Sequence, residues 1–422
     1  MEMTISPAGL HGIAAAPASK SEAHRRMICA GLSRGETCLT GFMRSADMTA
    51  TADCLRALGA ELSLSEDTLT LRGFARKPDL LPRYDCGESG STLRFFVPIA
   101  LALTHGGIFR MHGRLGQRPM DVYRELFVPH GVLWRMGEGA DGAAELTVTG
   151  GMEPGLYTLP GNVSSQFVSG LLFALPLLPG DSTLKVRPPV ESASYIDMTV
   201  KALRESGIRI EQTGPYAWQI PGFQEYHAPG GHLHGDWSQA AVLLCMGALG
   251  QDITVTGIST DTVQGDAAVL THLTALGAEV SVTEEGIRVT RGTPRPAVLD
   301  VHNCPDIAPI LALVCQLAPG ESRLTGCARL RLKECDRLAA TCELLNDLGG
   351  CCRIEGDTLI ITGVERLKGG PVKAYHDHRM VMLATAAALC SREPVTVPDP
   401  EALNKSWPQY PEVYRALGGQ MA

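Results

Sequence analysis

Short stretches in which apolar and polar residues alternate recur along the chain: Thr68-Leu69-Thr70-Leu71, Glu145-Leu146-Thr147-Val148, Ile287-Arg288-Val289-Thr290 and Thr358-Leu359-Ile360-Ile361. A period of two predicts strands with one buried face. Between them run segments with a small, apolar face that predict helices. Six candidate helices end at a glycine in a similar context: Gly59, Gly131, Gly207, Gly277, Gly349 and Gly418. Glycine takes the left-handed backbone that closes a helix at little cost, so each is a natural C-terminal cap.

A second series of predicted helices lies upstream of these glycines. Its members begin near Lys20-Ser21, Ser89-Gly90-Ser91, Ser164-Ser165-Gln166, Trp237-Ser238-Gln239, Pro305-Asp306-Ile307 and Asp377-His378-Arg379. Both series return at a period of roughly 70 residues, longer than that of the usual solenoid repeats. Two series keeping one period predict six copies of a single α/β unit. At 422 residues the chain exceeds what one core usually serves. Two domains of three units each are therefore expected rather than an open array.

The stretch Arg329–Arg337 reads RLRLKECDR. Its alternation predicts a short strand, with Leu330 and Leu332 on one face and Arg329, Arg331 and Lys333 on the other. A helix then starts near Asp336. A helix N-terminus carries partial positive charge and free amide donors. Taken alone, the corner fits either an anion pocket with an acid/base carboxylate or a solvated, salt-bridged helix start.

Composition narrows the class. Hydrophobic residues make up 45% and charged residues 19%, as in ordinary soluble globular proteins. Net charge is −8 and the pI about 5.9, which argues against non-specific nucleic-acid binding. An anionic substrate would need positive charge gathered locally against that field. The 13 cysteines include no C-x-x-C pair, which predicts reduced thiols and a cytoplasmic address. No secretory signal is expected at MEMTISPAGL, and the apolar run Met380–Cys390 is too short to span a bilayer.

The candidate chemistry sits at the first-series helix starts. Lys20, Ser21 and Arg25 form a possible phosphate grip; cations there oppose the helix dipole unless an anion is bound. Gly87–Arg94 is a small-residue loop without the lysine of a Walker loop. Arg118 precedes Pro119 and could clamp an anion. Ser164, Ser165 and Gln166 offer neutral donors, and Ser192 lies in a further hydroxyl-rich segment with Tyr195. Asp306 either caps its helix or, among cations, stays ionised as a base. His376-Asp377-His378-Arg379 is read as an anion-binding start, not a metal site. Lys405, in a Pro-rich loop, is the last candidate cation.

In this order and at these separations, these residues closely resemble the 3-phosphoshikimate 1-carboxyvinyltransferases, or EPSP synthases, over nearly the whole chain. The motifs are Ser19-Lys20-Ser21 with Arg25, Ser89–Arg94, Gln117-Arg118-Pro119 and Ser164-Ser165-Gln166. They continue with Ser192 and Tyr195, Pro305-Asp306, Lys333-Glu334 with Asp336-Arg337, Asp377–Met380, and Lys405. The chain departs from the commonest pattern at Glu88 and Ser91.

The resemblance implies a two-domain inside-out α/β barrel of six repeats. One domain would span residues 15–227 and the other residues 1–14 with 228–422, with the active site in the cleft between them and closure on substrate binding. It implies transfer of the enolpyruvyl group of phosphoenolpyruvate to the 5-hydroxyl of shikimate 3-phosphate, through addition and elimination, with no cofactor and no metal. Asp306 matches the base and Glu334 the acid. Lys20 and Lys405 match contacts to the departing phosphate, and His378 shares proton traffic. Lys20, Gly90, Arg118, Gln166, Arg337, Arg379 and Lys405 match the phosphoenolpyruvate site. Lys20, Ser21, Arg25, Ser164, Ser165, Gln166, Ser192, Tyr195, Asp306 and Lys333 match the shikimate 3-phosphate site. Glyphosate is the expected inhibitor, since Gly90 leaves it room, and the family suggests a monomer.

Three rival readings stand beside this one. The sister transferase acting on UDP-N-acetylglucosamine usually carries Lys-Asn where Lys20-Ser21 stands, and a Cys in the loop ending in Arg118-Pro119; residues 113–119 contain none. A non-catalytic phosphate-sugar binder on the same scaffold would not need both Asp306 and Glu334. RNA 3′-phosphate cyclases, which share the repeat unit more distantly, are disfavoured by the acidic charge.

Overall fold

The computed structural model describes residues 2–73 and 81–422. The chain forms two compact units, Ala18–Leu233 in one and the residues up to Pro17 with His234–Ala422 in the other. The exchange points lie at 17/18 and 233/234, against 14 and 228 drawn from the sequence. Pairing accounts for the offset: His11–Ala15 runs parallel to Asp252–Thr256, and Gly231–His232 runs parallel to Glu36–Thr40.

Among the described residues, six four-stranded sheets share one topology. The repeat beginning at Arg83–Asp85 shows it. That strand leads through the helix Gly90–Thr104 to Gly106–Met111, its parallel neighbour. The helix Asp121–Phe127 follows, and then the hairpin Leu133–Glu138 and Ala144–Thr149. The later hairpin strand pairs antiparallel with Gly106–Met111, which gives the spatial order first, second, fourth, third. The other five sheets follow suit. In the last repeat the N-terminal strand Glu2–Ser6 supplies the fourth position, between Val395–Pro398 and Gln420–Met421.

The first helix of each repeat is the buried one. Every residue of Trp237–Ala248, Ala308–Gln316 and His378–Ala388 is buried. A helix apolar on all sides has to be surrounded, so these helices fill the middle of their unit. The sheets lie outside, one face inward, as in the alternating burial of Glu36–Thr40 and Glu321–Thr325. Helices inside and sheets outside make this an inside-out α/β fold.

The second helix of each repeat ends as the glycine series predicts. All six glycines have left-handed φ, from 79° at Gly207 to 102° at Gly418. In each case the next residue donates its N–H to the carbonyl five residues back, as Ala60 does to Leu55 and Ala278 to Leu273. That is the Schellman closure, which satisfies carbonyls a helix end leaves orphaned.

One local expectation fails. Arg329–Lys333 is not a strand: Ala328–Leu332 is a 3-10 helix, and only Lys333 is extended. The adjoining sheet already has its four strands, so the segment finds no ladder partner. Leu330 is buried while Leu332 is exposed, so the apolar face read from the alternation does not form.

Candidate active site

In the unit containing the C-terminal half, Arg337 is the hub. It is the first residue of the helix Arg337–Asp347, whose N-cap is Asp336. Its guanidinium reaches three carboxylates. Nη1 donates to Asp306 Oδ1 at 2.8 Å and Nη2 to Glu334 Oε2 at 2.8 Å. Nε donates to Asp377 Oδ2 at 2.7 Å, and Nη2 also meets Asp377 Oδ1 at 3.2 Å. Lys333 Nζ donates to the same Asp306 oxygen at 2.8 Å. The planar five-donor fork of arginine lets one side chain hold all three acids.

Asp306 lies in the 3-10 turn Pro305–Ile307, whose N-cap position is Cys304, and its Oδ1 accepts from both Lys333 and Arg337. Burial alone would raise its carboxyl, but Lys333, Arg337 and Arg379 outweigh burial and hold it well below the usual range. It is therefore an ionised acceptor set among cations. Burial lowers Lys333, against which Asp306 acts. Burial would likewise raise Asp377, but Arg337 first and His378 second keep it low.

Asp377 joins this cluster to the next helix start. It caps His378–Ala388 by accepting from Arg379 N at 2.8 Å while gripping Arg337. Arg379 then reaches back to the helix Trp237–Ala248, donating from Nη1 to Ser238 O at 2.6 Å. Gln239, beside Ser238, donates to Ser406 Oγ at 3.0 Å, and Ser406 follows Lys405. His378 and Lys405 are both buried. Asp306, Lys333, Glu334, Arg337 and Arg379 are thus tied together through Asp377, Ser238 and Gln239, with His378 beside Asp377 and Lys405 next to Ser406 in sequence. Asp377, Ser238 and Gln239, which hold them, had no role assigned from sequence. Their signal was present in the repeat, because each stands at a first-series helix start. Arg331 stays apart, bonded to Asp336 and Asp357 at 3.3 Å each.

The other unit carries its own cluster. Lys20 Nζ pairs with Asp47 Oδ2 at 2.8 Å, a partner no sequence motif marked. One turn on, buried Arg25 donates from Nε to Thr199 Oγ1 at 2.8 Å, from Nη1 to Ser21 O at 2.7 Å and from Nη2 to Tyr195 O at 2.7 Å. Burial brings its pKa down to about 10, so it remains a cation at neutral pH. That fork ties Ser21 to Tyr195. Ser192 stands at the start of the helix Ala193–Glu205 with left-handed φ of 55°, and its Oγ is buried without a hydrogen-bond partner.

Gln166 is fixed from both ends of its amide. Arg94 Nη1 donates to its Oε1 at 2.6 Å, and its Nε2 donates to Ser91 Oγ at 2.8 Å. Arg94 Nη2 also holds Pro119 O at 3.0 Å, next to Arg118. The Arg118 guanidinium lies over Gly90, where a Cβ would come within 2.8 Å of Nη1. Ser164 caps the helix that begins at buried Ser165. Among the described residues no group of three or more His, Cys, Asp or Glu is placed to hold a metal, and no helix is long and apolar enough to cross a membrane.

The inside-out α/β repeat is the fold of solved enolpyruvyl transferases. An EPSP synthase from Acinetobacter baumannii superimposes with a TM-score of 0.81 at 23% identity, covering 100% of this chain and 99% of that one. The enolpyruvyl transferase NikO from Streptomyces tendae gives 0.78 at 19%, covering 100% and 98%. The sequence goes further. The family model for EPSP synthase (3-phosphoshikimate 1-carboxyvinyltransferase) matches residues 6–414. A 3-phosphoshikimate 1-carboxyvinyltransferase from Clostridium kluyveri is 38% identical over 99% of this chain and 98% of that protein. One from Clostridium perfringens is also 38% identical, with the same coverage. The chain belongs to the EPSP synthase family and is an enzyme, a carboxyvinyltransferase.

Proposed function

We propose that the enzyme transfers the enolpyruvyl group of phosphoenolpyruvate to the 5-hydroxyl of shikimate 3-phosphate, releasing phosphate, in the shikimate pathway of aromatic amino acid biosynthesis. The single observation that carries this reading is the Arg337 hub, in which two mostly buried carboxylates, Asp306 and Glu334, 22% and 17% exposed, share a guanidinium that a polyanionic substrate also needs. Addition requires a proton to leave the 5-hydroxyl and another to reach the methylene carbon. Ionised Asp306 takes the first, and Glu334 delivers the second. Elimination reverses the carbon protonation and expels phosphate.

The remaining roles follow from charge. Arg118, Arg337 and Arg379 clamp the carboxylate and phosphate of phosphoenolpyruvate, where bidentate forks suit planar anions. Lys20 and Lys405 neutralise the departing phosphate, while Gln166 and Gly90 shape that end of the site. Ser21, Arg25, Ser164, Ser165, Gln166, Ser192, Tyr195 and Lys333 hold shikimate 3-phosphate. The unpartnered Ser192 hydroxyl and the preset Arg25 fork support this half. His378, 3.6 Å from Asp377, shares proton traffic. No cofactor takes part; the enzyme is a cytoplasmic monomer, and glyphosate inhibits it by occupying the space that Gly90 leaves. Phosphate release requiring both substrates tests the reading.

A further inference from the structure

Among the described residues seven non-glycine positions have left-handed backbones. Three of them flank the groups assigned to phosphoenolpyruvate. Tyr375 and His376 are consecutive, each with φ of 53°. Asp377 N donates to Ala374 O at 2.9 Å and closes the turn around them. A turn with both central residues left-handed is of type I′, which Gly, Asn and Asp dominate because larger side chains crowd their own backbone. Two aromatic residues are a costly choice there, and strain of this kind persists where the surroundings enforce it.

Both side chains are engaged. The Tyr375 hydroxyl bonds to the Glu343 carboxylate on the helix Arg337–Asp347, and Lys373 Nζ holds that carboxylate at 2.7 Å. His376 Nδ1 lies 3.2 Å from Asp399 Oδ2. Asp399 is itself left-handed, with φ of 55°, and stands at the start of the 3-10 helix Pro400–Lys405. One side chain thus reaches the helix that begins with Arg337. The other reaches the segment that ends in Lys405. The turn itself leads into Asp377, His378 and Arg379.

Stability does not account for the turn. The His376 side chain is 78% exposed, and polar pairs so open to solvent contribute little. We infer that the Tyr375–His376 turn is a positioning device that sets Arg337, Arg379 and Lys405 relative to one another. Tyr375, His376, Glu343 and Asp399 touch no substrate; they act through the elements they tie together. The inference rests on the assignment of those three cations to phosphoenolpyruvate.

The test is the double variant Tyr375→Asn/His376→Gly. Asn-Gly is the pair this turn prefers, so the variant keeps the turn and removes both anchors. The expected result is an unchanged or raised Tm, with KM for phosphoenolpyruvate up by about tenfold or more and KM for shikimate 3-phosphate within about twofold. Unchanged kinetics would overturn the inference. If the double variant does not fold, Tyr375→Phe and Asp399→Asn each remove one anchor, and a selective rise in KM for phosphoenolpyruvate is again required. Arg379→Lys, measured in parallel, separates the two layers. A rise there with no effect of the turn variants sinks the inference alone. No rise there sinks the assignment of Arg379, and the inference with it.

Discussion

Arg337 and Asp377 face each other as a buried fork, with Nε to Oδ2 at 2.7 Å and Nη2 to Oδ1 at 3.2 Å, the side chains 2% and 0% exposed. Breaking a buried pair from one side leaves an uncompensated charge and costs ~3–5 kcal/mol. Asp377→Asn keeps the shape and removes the charge, so unfolding in urea should show a loss of that size. The pH dependence follows from the sign of the shift. Asp377 is held below its ordinary value in the fold, so its contribution is present above the unfolded value of about 3.9 and is lost as pH falls through the folded one. The stability gap between wild type and variant should be flat from about pH 5 to 8 and shrink below roughly pH 4.

Glu334 meets Arg337 Nη2 at 2.8 Å and keeps 17% of its side chain exposed. Glu334→Gln preserves size and hydrogen bonding while removing the ionisable carboxyl, and with it the proposed proton transfer. Binding of both substrates, followed by calorimetry, should persist while kcat falls by roughly 100-fold or more. Near-normal turnover would remove Glu334 from the mechanism.

Gly90→Ala places a methyl group 2.8 Å from Arg118 Nη1 and 3.0 Å from Cζ. The guanidinium is the far end of a flexible side chain, so the fold should tolerate the change while the proposed Arg118 clamp is displaced. Steady-state kinetics should show KM for phosphoenolpyruvate rising by about tenfold with little change in Tm. Glyphosate should inhibit the parent enzyme most at low phosphoenolpyruvate and the variant less.

Arg25 directs three donors at Thr199, Ser21 and Tyr195 from one plane. A lysine in its place reaches one of them. Arg25→Lys should raise KM for shikimate 3-phosphate more than KM for phosphoenolpyruvate, and lower stability by ~1–3 kcal/mol through orphaned buried acceptors. Equal effects on both KM values would take Arg25 out of the shikimate 3-phosphate half.

Much of this architecture was legible because it is local and repeated. A glycine that must be left-handed, and a buried helix with no polar face, announce themselves in any single copy. Six copies turned weak signals into a topology. RLRLKECDR was misread because alternation alone cannot tell a strand from a 3-10 turn, and Leu330 and Leu332 differ in burial only once the sheet is complete. The site's anchors were hidden for another reason. Asp47 on Lys20 and Ser238 on Arg379 are long-range pairings, and no spacing in the sequence encodes them.

The central claim is the reaction itself, and phosphate release from phosphoenolpyruvate tests it most directly. With purified enzyme, release should require shikimate 3-phosphate, match enolpyruvyl product one for one, and vanish when UDP-N-acetylglucosamine replaces it. Release without shikimate 3-phosphate, or with the nucleotide sugar in its place, would contradict the account.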